Sequence, residues 1–184
     1  QRKQRKKNNS KDELEQLKSR IISTLDRMSE NIPENTIPIQ SEDLHYQVAR
    51  IYGDLGEQQS MREILDKLIS RDNGKVLNRI EYANTYYKEL NDLEESLFIL
   101  EEMRANYLQI ESVLQTQGFN KNTIKQPRWQ RWQEAYPEII SSLVFIYREN
   151  NRNQDAEMVL SDWVARNPSD NNAKKILEEV RSGE

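Results

Sequence analysis

The sequence predicts an all-α protein built from paired helices. Apolar residues recur at spacings of three and four along most of the chain, which places them on one face of an α-helix. The two-residue alternation of a half-buried strand is nearly absent. Only five glycines and five prolines interrupt 184 residues, of which 32% are charged. Few breakers and many charges favour long helices with one solvated face.

The first predicted helix begins at a capping box, in which Ser10 and Glu13 can satisfy each other's free amide donors. Prolines 33 and 38 then predict an extended connector, because proline disfavours helix in the residue before it. The helix between these signals carries one apolar stripe, formed by Leu14, Leu17, Ile21, Leu25, Met28 and Ile32.

Seven further helical segments follow. Ser41 is expected to cap the first of them, which stops at Gly56, and the next extends from about 59 to 70 before the break at 72–74. The helix after this break is expected to end near Asn91. The helix that pairs with it is unusually long and ends at Gly118. The remaining helices are expected from 138 to about 149, from 153 to 168 and from 171 to 182.

Residues 119–137 are expected to form an insertion between these helices. A polar loop leads to a short helix, in which Trp129, Trp132 and Tyr136 share one face and Pro137 marks the boundary with the next helix. The two tryptophans form either an exposed aromatic patch that binds a partner or a face that packs on the neighbouring helices, and the spacing favours packing.

Three of the predicted hairpins share one pattern. Each has a tyrosine, a turn residue four positions later and a further residue five positions beyond the turn. These are Tyr52, Gly56 and Met61, then Tyr87, Asn91 and Ser96, then Tyr147, Asn151 and Ala156. The tyrosines are 35 and 60 residues apart, which indicates one period of about 34 residues and one period with an insertion of about 25.

This pattern resembles the tetratricopeptide family. The last repeat carries the family's positions at Ile140, Leu143, Val144, Tyr147, Ala156, Leu160, Trp163 and Pro168. The middle repeat, with Ile80, Ala83, Tyr87, Ser96, Leu100 and Met103, lacks the proline, and the first has Met61 where the family has a small residue. The resemblance implies a right-handed solenoid of helical hairpins with a concave wall of first helices and a C-terminal capping helix.

The predicted organisation is a basic N-terminal tail, 1–9, followed by a single helical domain, 10–184. Within this domain the parts are a half repeat (10–32), a repeat (41–73), a repeat with an extended second helix (75–118), the insertion with its short helix (119–137), a repeat (138–168) and a capping helix (171–182).

A second resemblance concerns the connector and the helix after it. Residues 32–33, 37–39, 44, 48–52 and 55–56 are similar to the soluble C-terminal tail of a bacterial family of multi-pass membrane proteins with an O-mannosyltransferase-like transmembrane part. This resemblance implies that the first seven residues follow a membrane span and that the domain is cytoplasmic. Any glycosyl transfer would belong to the transmembrane part. The initial glutamine also suggests a piece of a longer protein.

Charge is unevenly distributed along the chain. The tail contains five cations and no acid, whereas 22 basic and 31 acidic residues follow, a net charge of −9. Cations beside a membrane span attract anionic lipid, although the tail can equally be a solubilising end. Nucleic-acid binding is disfavoured because the body is acidic. The candidate lipid contacts are Arg2, Lys3, Arg5, Lys6 and Lys7.

No catalytic motif is present, so we expect neither an enzyme nor a cofactor. The sequence has no cysteine, and its one histidine, His45, lacks the partners that a metal site or a general base needs. Adjacent glutamates such as Glu94 and Glu95 point about 100° apart on a helix and cannot act on one bond. We therefore expect no metal site.

The expected function is a non-catalytic protein–protein interaction or scaffold module. Its partner is expected to be a protein or peptide, or the transmembrane part of the same protein, in which case the module regulates a glycosyltransferase-like enzyme. The tetratricopeptide resemblance implies that the partner-binding residues lie on the concave wall. The cations among them can bind acidic groups of a partner. The alternative is that this wall is an ordinary solvated face. These residues are Tyr46, Arg50, Glu81, Thr85, Lys88, Phe145 and Arg148.

Overall fold

The computed structural model describes residues 16–27, 42–70, 76–119 and 124–183, and every regular element within these ranges is an α-helix. The all-α prediction is confirmed. None of the described helices is both long and apolar enough to cross a membrane. The helices are α1 (within 16–27), α2 (Glu42–Asp54), α3 (Gln58–Ile69), α4 (Val76–Lys88), α5 (Leu93–Thr116), α6 (Pro127–Glu149), α7 (Asn153–Arg166) and α8 (Asn171–Ser182).

The chain divides into two compact units, Gln1–Gly74 and Lys75–Glu184. The prediction of one domain over 10–184 did not anticipate this division, although the boundary falls at the expected break. In the first unit, α2 packs against α3. The hydroxyl of Tyr52 on α2 donates to the carboxylate of Asp26 on α1 at 2.7 Å. The capping box, the connector and the break at 72–74 lie outside the described residues.

In the second unit, the α4–α5 hairpin is followed by a similar α6–α7 hairpin. Helix α6 packs against α4, α5 and α7, and α7 also packs against α8. Asn84 on α4 donates to Ser142 on α6 at 3.4 Å, and Arg104 on α5 donates to Asp162 on α7 at 2.9 Å. Both contacts join residues 58 positions apart. The first helices of the two hairpins are therefore in contact at the same separation in sequence as the second helices.

The three predicted turn residues have the same left-handed backbone. Gly56, Asn91 and Asn151 have φ values of +79°, +50° and +57°. Glycine and asparagine tolerate this region best, because other side chains clash with the following carbonyl. Each second helix starts two residues later. The residues five positions beyond the turns are completely buried, as the repeat pattern predicts; they are Met61, Ser96 and Ala156.

The middle repeat is shifted by one residue from the predicted alignment. The amide of Asp92, after the turn residue, donates to the carbonyl of Tyr86 at 2.9 Å, not to that of Tyr87. Tyr86 is completely buried, whereas Tyr87 is half-buried. The assignment of Tyr87 to the repeat is therefore wrong, because this turn contains one additional residue. The equivalent bonds elsewhere join Glu57 to Tyr52 at 2.9 Å and Arg152 to Tyr147 at 2.8 Å.

The predicted boundary at Pro137 is also wrong, because α6 continues through this residue from 127 to 149. Pro137 cannot donate to the carbonyl of Gln133, which weakens the helix locally. Tyr136 and Ile139 are buried on either side of it. Their packing holds the two halves of α6 together where the local sequence favours a break.

The insertion lengthens the α5–α6 hairpin. Helix α5 has 24 residues and therefore spans about 36 Å. Its later turns pack on the first half of α6, where the Tyr107 ring stacks on Trp129 at 5.2 Å and on Tyr136 at 3.7 Å between ring centroids. The predicted long second helix ending at Gly118 is confirmed, since Gly118 has a φ of +76°.

The close approach of α6 and α7 at Ala156 predicts a stability effect. Ala156→Leu should lower the free energy of unfolding by about 1–3 kcal/mol, because three additional carbon atoms must enter a filled space. Urea unfolding measures this change. Ala165→Leu on the exposed side of the same helix is the matched control and should have little effect. Equal midpoints for the Ala156 variant and the unchanged protein would contradict the packing described here.

Candidate functional site: a groove between helices α6 and α8

A groove with a volume of about 700 Å³ lies in the second unit between α6 and α8, with α7 at its base. Sites for small molecules and peptide side chains have volumes of roughly 300–1,000 Å³. Its apolar lining consists of Pro137, Ile140, Val144, Phe145, Leu160, Trp163, Ala173 and Ile176. Its polar lining includes Ser141, Arg148, Glu149, Asn151, Asn153, Asp170 and Asn172.

Trp163 forms part of the base of the groove and is fixed by Asp170. The indole Nε1 donates to Asp170 Oδ2 at 2.9 Å, and Asp170 Oδ1 accepts from the amide of Ala173 at 3.0 Å. The Ala173 amide and the Trp163 indole hold the pKa of Asp170 below its ordinary value, because both bonds favour the charged carboxylate. One carboxylate thus caps α8 and orients the ring beneath the groove.

Charges and an exposed ring lie at the rim. Arg148 on α6 forms an ion pair with Glu179 on α8 at 3.8 Å. Phe145, with 47% of its surface exposed, meets the edge of Tyr87 at 6.4 Å between ring centroids. The Lys88 ammonium lies 6.0 Å from the Phe145 ring centroid. The groove can therefore bury an apolar side chain, and its rim asparagines can donate and accept hydrogen bonds.

The structure brings together three of the seven predicted partner-binding residues. Phe145 and Arg148 line the groove, and Lys88 contacts Phe145. Glu81 is exposed on α4. Thr85 is only 4% exposed, and its hydroxyl donates to the carbonyl of Glu81 at 2.9 Å. Its prediction as a partner-binding residue is wrong.

The physical reason is the additional residue in the turn after α4. Tyr86 is the residue equivalent to Tyr52 and Tyr147. When positions are counted from Tyr86, Asn84 stands where Thr85 was expected, and Tyr87 stands where Lys88 was expected. The contacts agree with this shift: Asn84 bonds to Ser142, and Tyr87 contacts Phe145.

The other two predicted residues, Tyr46 and Arg50, belong to the first unit. Tyr46 is buried, so its prediction as an accessible partner-binding residue is wrong. A large ring on α2 removes more apolar surface from water inside the unit than it would on a solvated wall. Arg50 is exposed.

The exposed aromatic patch predicted as one alternative does not exist. Trp129 and Trp132 are 3% and 8% exposed, so both rings pack inside the second unit. Trp129 ends a row of rings that continues through Tyr107 and Tyr136 to Trp163, whose centroid lies 5.7 Å from that of Tyr136. The row connects the lengthened hairpin to the base of the groove.

A set of ion pairs between α5 and α7 was missed by the sequence analysis. Arg104 pairs with Asp162 at 2.9 Å, Asp162 pairs with Arg166 at 2.9 Å, and Arg166 pairs with the nearly completely buried Glu111. Two of these residues, Glu111 and Arg166, line a second cavity of about 220 Å³, together with Tyr107, Tyr136 and Trp163 among others. Pairs more than 50 residues apart leave no local signature in a sequence.

The same ion pairs perturb two ionisable groups. Burial raises the pKa of Asp162, but hydrogen bonds from Arg166 and Arg104 outweigh it, so the pKa lies below its ordinary value. Burial is the main cause that raises the pKa of Tyr107 well above its ordinary value, and the negative charge of Glu111 raises it further.

Two further sequence predictions concern residues away from the groove. His45, for which no chemical role was expected, is buried in the first unit. The candidate lipid contacts of the tail lie outside the described residues; they are Arg2, Lys3, Arg5, Lys6 and Lys7.

The lowered pKa of Asp162 predicts a dependence of stability on pH. The folded-state pKa of Asp162 lies below the unfolded value of about 3.9. The stability that its carboxylate contributes is therefore fully present above that pH and is lost as the pH falls through the folded-state pKa. Asp162→Asn should therefore destabilise the protein at pH 7, and the difference from the unchanged protein should shrink in strong acid. Urea unfolding at a series of pH values measures both. A difference that is constant with pH would contradict this assignment.

Comparison with protein-family models gives no match, and neither does comparison with curated proteins or with solved structures.

Proposed function

We propose that this chain is a non-catalytic, tetratricopeptide-like interaction module that binds a short peptide segment of another protein between α6 and α8. The observation that carries the proposal is the groove of about 700 Å³, whose apolar lining surrounds the fixed Trp163 ring. A preformed concavity with a few convergent polar groups is the usual form of a binding site.

The repeated hairpins support the tetratricopeptide-like part of the proposal. Three left-handed turns precede completely buried residues at the same distance, and in the second unit first helix contacts first helix and second helix contacts second helix. Stacked helical hairpins form a wall of first helices, which is the surface that such proteins present to partners. Within the second unit, α4 and α6 would contribute to that wall.

The lining defines the chemistry of the peptide. An apolar anchor side chain would contact Trp163, Val144 and Ile176, which all line the groove. The backbone of an extended segment would bond to the asparagines at the rim. Lys88 lies 6.0 Å from the Phe145 ring centroid and Arg148 lines the groove, so an acidic residue beside the anchor is favoured.

Phe145→Ala tests the proposal. Peptides are selected from a random display library against the full chain, and a fluorescein-labelled selected peptide is then titrated by fluorescence anisotropy. The variant should weaken binding by roughly tenfold, because burial of an aromatic ring at an interface contributes about 1–2 kcal/mol or more. Phe98→Ala is the matched control, since Phe98 is 64% exposed on α5 and does not line the groove.

The control variant should bind as the unchanged protein does. Failure to enrich any peptide would contradict the proposed function. Equal weakening by both phenylalanine variants, or weakening only by the Phe98 variant, would place the binding surface elsewhere.

A further inference from the structure

The end of the lengthened α5–α6 hairpin is cationic. The described residues 112–119 and 124–133, here named the hairpin tip, contain three cations and no acid in a protein that has 31 acidic residues. The three cations are Lys125, Arg128 and Arg131. All three of these side chains are exposed.

The tip arginines are exceptional among the arginines described in the second unit. Six others form ion pairs with carboxylates; they are Arg79, Arg104, Arg148, Arg152, Arg166 and Arg181. Arg128 and Arg131 form no ion pair within the described residues. Lys125 forms none either. The charges of this surface are therefore not compensated by described parts of the same chain.

The backbone of α6 holds Arg128 and Arg131 in place. Lys125, Arg128 and Arg131 are spaced three residues apart, so the two arginines share the outer face of the first turns of α6. Trp129 and Trp132 are buried on the opposite side and fix this end of the helix against α5.

An exposed phenylalanine lies at the end of α5. Phe119 is 55% exposed, and its amide donates to the carbonyl of Leu114 at 2.9 Å. The Gly118 amide donates to the carbonyl of Gln115 at 2.9 Å, and Gly118 has a φ of +76°. These two bonds form the Schellman motif that ends many helices, so the backbone holds Phe119 in place. Val113, six residues earlier, is also exposed.

We propose that the hairpin tip docks on an anionic lipid surface. The cations would approach the headgroups while Phe119 enters the interface between headgroups and acyl chains, a combination of charge and apolar area typical of peripheral membrane binding. None of Val113, Phe119, Lys125, Arg128 and Arg131 lines either of the two cavities described above. The buried tryptophans cannot stack on nucleic-acid bases.

Sedimentation with vesicles tests this proposal. The full chain is used with its five tail cations changed to glutamine, so that lipid binding by the tail does not mask the tip. Vesicles of phosphatidylcholine with one third phosphatidylserine should bind this protein, and pure phosphatidylcholine vesicles should not. Arg128→Gln with Arg131→Gln should lower the partition coefficient roughly tenfold or more.

Two controls separate the tip from general charge. Lys174→Gln with Lys175→Gln removes the same charge from α8 and should change the partition coefficient by less than about twofold. Phe119→Ser leaves the charge unchanged and should also weaken vesicle binding. Unchanged circular dichroism of each variant confirms that it is folded.

Three results would overturn the proposal. The first is absence of binding to the acidic vesicles. The second is an equal loss of binding for the tip and α8 variants, which would indicate nonspecific charge attraction. The third is tighter binding of a labelled single-stranded oligonucleotide than of vesicles, lost on removal of Arg128 and Arg131, which would make the tip a nucleic-acid surface.

Discussion

The left-handed residue between paired helices is the constraint on which the described hairpins depend. It reverses the chain within a few residues and sets the rotation of the second helix against the first. The residue five positions later is then completely buried, whether it is Met61, Ser96 or Ala156. Asn151 and Ala156 fix α6 against α7 in this way, and those two helices provide the base and one wall of the groove.

Aromatic rings connect the groove to the lengthened hairpin. The row from Trp129 through Tyr107 and Tyr136 ends at Trp163, which Asp170 ties to the start of α8. The insertion of about 25 residues therefore does not only lengthen the hairpin. It also supports the base of the groove from the side of α5. The same packing faces the tryptophans inward and leaves the cations of the hairpin tip outside.

Local signals predicted much of the fold. The turn residues, the buried positions after them, the long α5 and its end at Gly118 all follow from spacing and backbone preference, which act over a few residues. The additional residue after α4 could not be predicted in this way, because Tyr86 and Tyr87 have the same side chain. Only the folded structure distinguishes them, by the hydrogen bond from Asp92 and by their burial. A proline breaks an isolated helix, whereas the packing of the residues on both sides of Pro137 keeps α6 continuous.

The candidate site was predicted only in part. Phe145 and Arg148 follow from their place on a first helix, but the opposite wall comes from α8, which the sequence identifies only as a cap. Trp163 looked like a core position of the last repeat; its role at the base of the groove depends on the distance between α6 and α8. The Glu111–Arg166 pair depends likewise on helices far apart in the sequence.

The most direct test of the groove as the binding site is a nuclear magnetic resonance titration of the ¹⁵N-labelled chain with a display-selected peptide. The chain has three tryptophans, and their indole N–H signals report on different places. The Trp163 signal should shift on binding, because its ring lines the groove and its indole bonds to Asp170. The signals of Trp129 and Trp132, buried away from the groove lining, should stay in place. Saturable peptide binding with an unmoved Trp163 signal would contradict the account.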